Sequence, residues 1–549
     1  MAMEIEALLK RAKRAEIKRD AFADLMRDCY RYAMPERDAW ASYGYGQQKI
    51  AEVYDSTAML STARFATRLV NALFPPGQRW ARLNVPPEAE ASDDQAQQDV
   101  KDIQASLDEI TAKLFSHIHA SNFDPCMHEA AHDLAAGVCA VLIENGKLAS
   151  NRANVPTLRF TSVPAAFVAF DEGPFGQIEG IFYRQRIAAR NITRQYGDAT
   201  LSRQLQDKIN QQQEEEIALL QCTTYDDQKD EWCFQVVLED EKHELVKRYY
   251  RTNPWIIVRW MKAPGETYGR GPLTMALPDI RTLNKLRELA LISASFAVTP
   301  VWTATDDGVM NVDSVRIVPN AIIPVRSNGG PMGQSLKALE MPTRFDIAQN
   351  LEAELKTTIR QILFDNPLPP EVQVGLTATE VIERVRQFQA DTGAFGRLEV
   401  DAVRPIVTRC LDILEEAGEF AAPNLQGASA ALRQNLIRIV ATSPLSAAQE
   451  RADVQAVMQV AMGMASLGEL GGAMVQAALD PAKAGRFIAK RSGIPADLIP
   501  DAQALEQSNA EATQQAAMMQ LMQTPAAAQV AGQMAKAATT PPPQPEPMQ

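Results

Sequence analysis

His128-Glu129-Ala130-Ala131-His132, inside "CMHEAAHDLAAGVC" from Cys126 to Cys139, spells H-E-x-x-H. On a helix, residues i and i+4 share a face, so two imidazoles can reach one Zn²⁺ while the glutamate polarises its water, as in metalloproteases. A third ligand is required. The continuation x-x-G-x-x-H fails, because Ala135 and Val138 stand where glycine and histidine belong. His243 is the only later histidine, and it falls in a hairpin-like region. Glu144 is near in sequence but belongs to "VCAVLIEN", which reads as a strand. The expectation is a chance match on a structural helix whose histidines are partly exposed, with no metal. A zinc metalloprotease is kept as a rival.

Other motifs carry less. "DTG" at 391–393 matches the triplet of aspartic proteases but lies within a long helical pattern, not a tight loop. "GETYGRGP" at 265–272 lacks the Lys-Ser/Thr of a phosphate-binding loop and reads as a turn before a helix. Five histidines in the chain leave no Ser/His/Asp or Cys/His set to nominate. No cofactor is indicated.

The elements that must hold these residues follow from composition and periodicity. A chain of 549 residues is long enough for several domains. With 46% hydrophobic but only 6% aromatic residues, helices packed through Ala, Leu, Val and Met are favoured, hence a helix-rich α+β protein. A net charge of −13 excludes the global basic footprint of a nucleic-acid-gripping protein. Six scattered cysteines without C-x-x-C point to buried thiols in a reducing compartment, although Cys222 and Cys233 could face each other across a hairpin. The N-terminus has no apolar signal region and no run of about 18 apolar residues occurs, so a cytoplasmic protein without membrane spans is expected, and the Asn191-Ile192-Thr193 sequon carries no meaning.

Along the chain, residues 4–33 predict one amphipathic helix with phase drift near Ala15 to Ile17, ended by Pro35. A second helix runs from about Ser56 to Pro75, then "RWARLNV" alternates as a strand and a helix follows near 99–120. Segments 124–140, 158–195 and 222–262 predict a helix and then an antiparallel meander, interrupted by a polar helix around 196–219. Residues 277–298 and a helix opened by Asp346 flank a mixed segment with β-like "VDSVRIV" and "AIIPV". "DNPLPP" stops the second of these helices. Thr377 and Glu380 then suggest a capping box opening a helix of about forty residues, with Gly393, Gly396 and Pro405 as kink points. Further helices are expected from "LRQNLIRIV" onward, before an Ala/Gln/Met-rich stretch and a proline-rich end.

Taken in order, "NALFPPGQRWARLNV", "EAAHDLAAGVCAVLIENG", "PWIIVRWMKAPGETYGRGPL" and "LPDIRTLNKLRELALISASFAVTPVW" resemble the portal, or head-to-tail connector, proteins of short-tailed podovirus-type phages. The resemblance runs from about residue 5 to about residue 420. Its most telling anchors are Trp80 and Arg82 after "ALFP", and Tyr268, Gly269 and Arg270 before the paired helices. It implies a wing (1–275), stem helix 1 (276–298), an α/β clip (299–343), stem helix 2 (344–364), a tunnel loop (365–378), a long kinked wing helix (379–422), a helical crown (423–502) and a C-terminal tail (503–549), helical barrel or disordered.

The resemblance further implies a non-enzymatic ring, usually of twelve copies, at one capsid vertex of the virion, assembled in the host cytoplasm. Double-stranded DNA would pass through it without sequence specificity during packaging and ejection. The terminase large subunit, which hydrolyses ATP, would dock on it, then tail adaptor and tubular proteins; major capsid and scaffolding proteins would surround it. The tunnel loop would include Asn366-Pro367-Leu368-Pro369-Pro370-Glu371-Val372-Gln373. Arg344, Lys356 and Arg360 are candidates for channel or intersubunit contacts, against plain salt bridges. A scaffolding or internal capsid protein is a second rival, which would lack a closed ring.

Overall fold

The N-terminal segment folds as two helices, α1 (Ile5–Asp20) and α2 (Ala23–Ala33), not the single helix its periodicity suggests. The break reflects two different partners: α1 buries Leu8, Ala12 and Ala15 against a sheet, while α2 buries Met26, Cys29, Tyr30 and Ala33 against helices. The computed structural model describes residues 5–40, 53–85, 94–147, 155–299, 302–305, 322–325, 336–338, 345–365, 398–421 and 437–442, all in the first of two compact units, Met1–Ser446.

Next come α3 (Thr57–Leu73), strand β1 (Ala81–Asn84), α4 (Asp94–His119) and α5 (Phe123–Ala136). α5 runs directly into β2 (Val138–Asn145), which lies between β3 (Leu158–Val163) and β9 (Trp255–Arg259) in an antiparallel sheet. The alternation of β2 gives each face a task. Cys139, Val141 and Ile143 join the main helical core, and Val138, Ala140 and Leu142 pack toward the second sheet.

That second sheet is a meander of β4 (Val168–Glu172), β5 (Ile178–Ala188), β6 (Glu216–Asp226), β7 (Glu231–Leu238) and β8 (His243–Tyr250). α1 covers one face, through Leu8, Ala12 and Ala15 against Phe182, Leu220, Cys222 and Val237. The other face is covered in part by α6 (Ala189–Gln195) and α7 (Arg203–Gln211), two short helices where one polar helix around 196–219 was expected. Cys222 pairs with Gln235 and Cys233 with Thr224, so these cysteines are not opposite each other; all six cysteines are buried free thiols. Burial pushes the thiols of Cys29, Cys126 and Cys139 up to about 12, which leaves them unreactive at neutral pH.

α8 (Pro272–Val298) starts five residues before the predicted 277, with Pro272 in its first turn, where a missing N–H costs nothing. Between α8 and α9 (Phe345–Ile362) stand three short strands, β10 (Trp302–Thr305), β11 (Ile322–Val325) and β12 (Leu336–Ala338), β10 pairing parallel with β11 and antiparallel with β12. β11 falls on the predicted "AIIPV"; "VDSVRIV" lies outside the described residues.

The end of the predicted forty-residue helix is described from Leu398: a π-helical turn (Glu399–Val403) leads into α10 (Arg404–Glu416). Pro405 has no N–H, and its ring crowds the carbonyl four residues back, so widening the preceding turn accommodates it. The capping box at Thr377 and the glycines 393 and 396 lie outside the described residues.

"LRQNLIRIV" yields a correction: its end forms β13 (Arg438–Ala441), a strand and not a helix, antiparallel to β1 with Ala81 opposite Ala441. Ala441 and α10 join the same core as α3, α4 and α5, so this part of the expected crown range and the kinked helix close the N-terminal body. The rest of 423–502 and all of 503–549 lie outside the described residues.

Candidate functional site

The most distinctive feature is the α8/α9 pair and the way its two feet are fixed. The helices run antiparallel: Leu277, Ile280 and Leu283 pack with Ile359 and Leu363 at the base, and further out Arg287 pairs with Glu352 at 3.1 Å. Beyond that point the apolar side chains lose their cover. Leu289, Leu291, Ile292 and Val298 on α8 and Leu351 on α9 are exposed, Val298 at 81%.

The foot of α8 is set by glycines. Gly137, at φ +138, ends α5 and lies against Gly269, and the backbone N–H of Gly271 donates to Ala136 O at 3.2 Å. Trp260 N–H donates to Gly137 O at 2.9 Å, so strand β9, the α5–β2 corner and the start of α8 meet backbone to backbone. Side chains there would hold them apart. Tyr268 fills the adjoining core, its ring 4.2 Å from that of Phe170 and its hydroxyl donating to Val168 O.

The foot of α9 is a carboxylate. Phe364 takes a left-handed conformation at φ 56, and Asp365 N–H reaches back to Arg360 O at 2.7 Å, a helix-ending turn that usually employs glycine. The side chain of Asp365 is 2% exposed; it accepts from Ser61 Oγ at 2.9 Å and pairs with Arg64 at 3.2 Å and Arg68 at 3.8 Å. Arg68 also donates to the Phe364 carbonyl, and the Phe364 ring packs on Phe65 and Trp260. α3 thus grips the first residue of the expected tunnel loop, Asp365. Asn366 to Gln373, and Arg344, lie outside the described residues.

Lys356 pairs within its own chain, with Asp55 at 3.2 Å and Glu352 at 3.7 Å. Arg360 is exposed and, among the described residues, makes no ion pair. Trp80 is buried, stacked on Phe123 and edge-on to Phe74 and Phe115. Arg82 pairs with Asp108 and Arg270 with Glu266, both partly exposed.

H-E-x-x-H lies on α5, as predicted. His128 and Glu129 are exposed, and the His128 and His132 rings lie 4.8 Å apart. His132 donates Nδ1–H to the His128 carbonyl at 2.8 Å. Burial holds His132 below the ordinary histidine range, with help from nearby His128 and Arg37 against the pull of the hydrogen bond and Asp133. Glu144 stands six residues along β2, about 20 Å from its start, which removes it as a third ligand. Among the described residues no group of three or more His, Cys, Asp or Glu is placed to hold a metal.

The chemically loaded residue on α5 is the next one, Asp133. It is buried, accepts from the Tyr30 hydroxyl at 2.8 Å and from Arg37 at 3.0 Å, and ties α2 to α5. Burial pushes its carboxyl above the usual range against the pull of Arg37 and Tyr30. Arg409, 2% exposed, plays a matching part on α10: it lies 4.4 Å over the Tyr250 ring and donates to Thr252 and Asp412. Sequence spacing gave no sign of Asp133, Asp365 or Arg409: apart from Asp412, three residues from Arg409, the side chains they meet lie far along the chain.

The order of elements defines the class before any comparison: an α+β body that sends out an antiparallel helix pair bearing a small mixed sheet. Residues 6–499 match the family model described as bacteriophage head to tail connecting protein, and the chain belongs to that family. No curated protein matches it. Among solved structures, a chain of the neck of an empty GTA particle computed with C6 symmetry aligns over 78% of this chain and 92% of its own, at 11% identity and a TM-score of 0.31. A chain of the virion of a native gene transfer agent particle aligns over 72% and 89%, at 12% identity and a TM-score of 0.28.

Proposed function

We propose that this protein is the portal subunit of a short-tailed phage: a ring, of twelve copies, at one capsid vertex, through which DNA is packaged and ejected. The observation that carries the reading is the α8/α9 pair, which leaves a body of sheets and helices, is fixed at both feet, and holds the three-stranded sheet at its far end. Membership of the head-to-tail connector family supports it. In this reading α8 and α9 are the stem, β10–β12 belong to the clip that meets the terminase and later the tail proteins, and Asp365 is the fixed end of the tunnel loop. The apolar residues on the outer half of the pair suit burial between neighbouring copies. At twelve copies the ring carries a formal −156, twelve times the chain's −13, which suits a conduit that lets DNA slide. The work of ATP hydrolysis falls to the terminase.

The test is an image of the purified full-length chain by negative stain, with mass photometry of the same sample. Closed rings with an axial hole are expected, and omission of the chain from an in vitro packaging reaction should leave procapsids empty. A monodisperse monomer or a solid shell-like assembly at micromolar concentration would refute the reading.

A further inference from the structure

The solvent face of α1 is a basic stripe. Lys10, Lys13, Arg14 and Lys18 are exposed, and among the described residues none makes an ion pair or hydrogen bond. At 100° per residue they fall on one side of the helix, with Ile17, 63% exposed, in their midst. The helix cannot turn to hide them. Its other side is fixed to the five-stranded sheet by Leu8, Ala12 and Ala15 and by the pairs Arg11–Asp171 and Glu16–Arg184, while Glu6, at the N-terminal end of the stripe, pairs with Lys242. α1 holds six Lys and Arg against three Asp and Glu, a net +3 in a chain of −13, so the rest of the molecule carries −16.

The chain's own surface offers the complement. Beside α7, which lies on the opposite face of that sheet, a cleft of about 310 Å³ is lined by Glu215, Glu216, Asp240 and Glu241. Lys208 pairs with Glu215, and Arg186 also lines the wall, which leaves the lining with a net −2. The basic stripe faces away from one side of the sheet, and the cleft opens beside the helix on the other. Within one chain the two sets form no ion pair. Between copies related by a rotation they can meet, as a head-to-tail contact joins two different patches.

We propose that the basic face of α1 docks on the acidic cleft beside α7 of a neighbouring copy, an interface that orders the copies around the ring by charge. This rests on the ring proposed above. Ile17 supplies an apolar centre to a contact otherwise made of charge, and the contact weakens with salt because its groups stay near solvent.

The test uses the full-length chain. Rings assembled from equal amounts of ¹⁴N- and ¹⁵N-labelled protein are treated with a zero-length carbodiimide. Mixed-isotope crosslinks from Lys10, Lys13 or Lys18 to Glu216, Asp240 or Glu241 are expected; only same-isotope crosslinks, or none, would overturn the inference. The quadruple variant Lys10→Glu, Lys13→Glu, Arg14→Glu, Lys18→Glu alters exposed side chains only and should keep the wild-type circular dichroism spectrum. It should need at least tenfold more protein to form rings at low salt, and adding Glu216→Lys, Asp240→Lys and Glu241→Lys should restore them. Unchanged rings, or failure of that rescue, overturn the inference. So does a quadruple variant with normal rings that has lost retention on DNA-cellulose, which would assign the stripe to nucleic acid. Wild-type protein that forms no ring at any salt sinks the portal reading itself, a result distinct from all of these.

Discussion

Gly137 and Gly269 meet with no room for a side chain: a Cβ on Gly137 would stand 2.2 Å from the carbonyl oxygen of Gly269, and one on Gly269 2.6 Å from that of Gly137. The contact decides where α8 leaves the body. Gly137→Ala adds a clash to a positive φ and is expected to cost at least about 1–3 kcal/mol. Urea denaturation followed by circular dichroism measures it; a midpoint equal to wild type would show that the contact is not needed.

Asp365 ties the end of α9 to α3 through its side chain. Asp365→Ala removes the acceptor of Ser61 and the carboxylate that faces Arg64 and Arg68, at an expected cost of about 1–3 kcal/mol, lowered by the exposure of Arg64. Amide exchange should rise at Phe364 and Asp365 while that of the α5–β2 corner stays the same. Equal protection in both proteins would remove Asp365 as the fixed foot.

His132 sets a pH dependence. Its folded-state value lies below the ordinary histidine value of about 6.5, so the unfolded chain takes up the proton first. The stability that neutral His132 preserves is present above about 6.5 and falls as pH drops from there to the folded value, then levels off. His132→Gln should flatten that part of the profile in melting temperatures taken between pH 7.5 and 5. A profile identical to wild type would rule the histidine out as its source.

Zinc is expected to be irrelevant to the folded protein. Dialysis against EDTA should leave the melting temperature unchanged, and His128→Ala should neither lower metal content nor alter assembly. One zinc per chain, lost in that variant, would revive the metalloprotease.

The exposed outer half of the helix pair is expected to be covered by neighbours. Leu289→Glu with Ile292→Glu should give a folded chain with wild-type circular dichroism that sediments as a monomer. Rings in normal yield would place these residues at a free surface.

Local patterns revealed local structure well. The run of α5 into β2 was legible because the apolar spacing changes from helical to continuous within two residues at Gly137. The antiparallel meander was legible because β-branched and aromatic runs alternate with turn residues. What failed depended on distant partners. Periodicity joins α1 to α2, since only the separate surfaces they cover require a break, and "LRQNLIRIV" reads as helix because β1, which makes Arg438–Ala441 a strand, lies elsewhere in the chain. The same limit hid Asp133, Asp365 and Arg409, each buried by groups that no short window contains. The H-E-x-x-H helix was placed correctly, yet its chemistry sits on Asp133, which the motif does not include.

The pairing of β1 with β13 bears on how the chain is made. Ala81 waits for Ala441, some 360 residues later, and at about 5–20 residues per second that is roughly 20–70 s of synthesis. Through that interval the core beneath Trp80 stays unsealed, while the outer half of α8, with its exposed leucines, has already left the ribosome. The nascent chain therefore offers its association surface before its body is closed, and a chaperone holding the unfinished protein would separate folding from premature assembly.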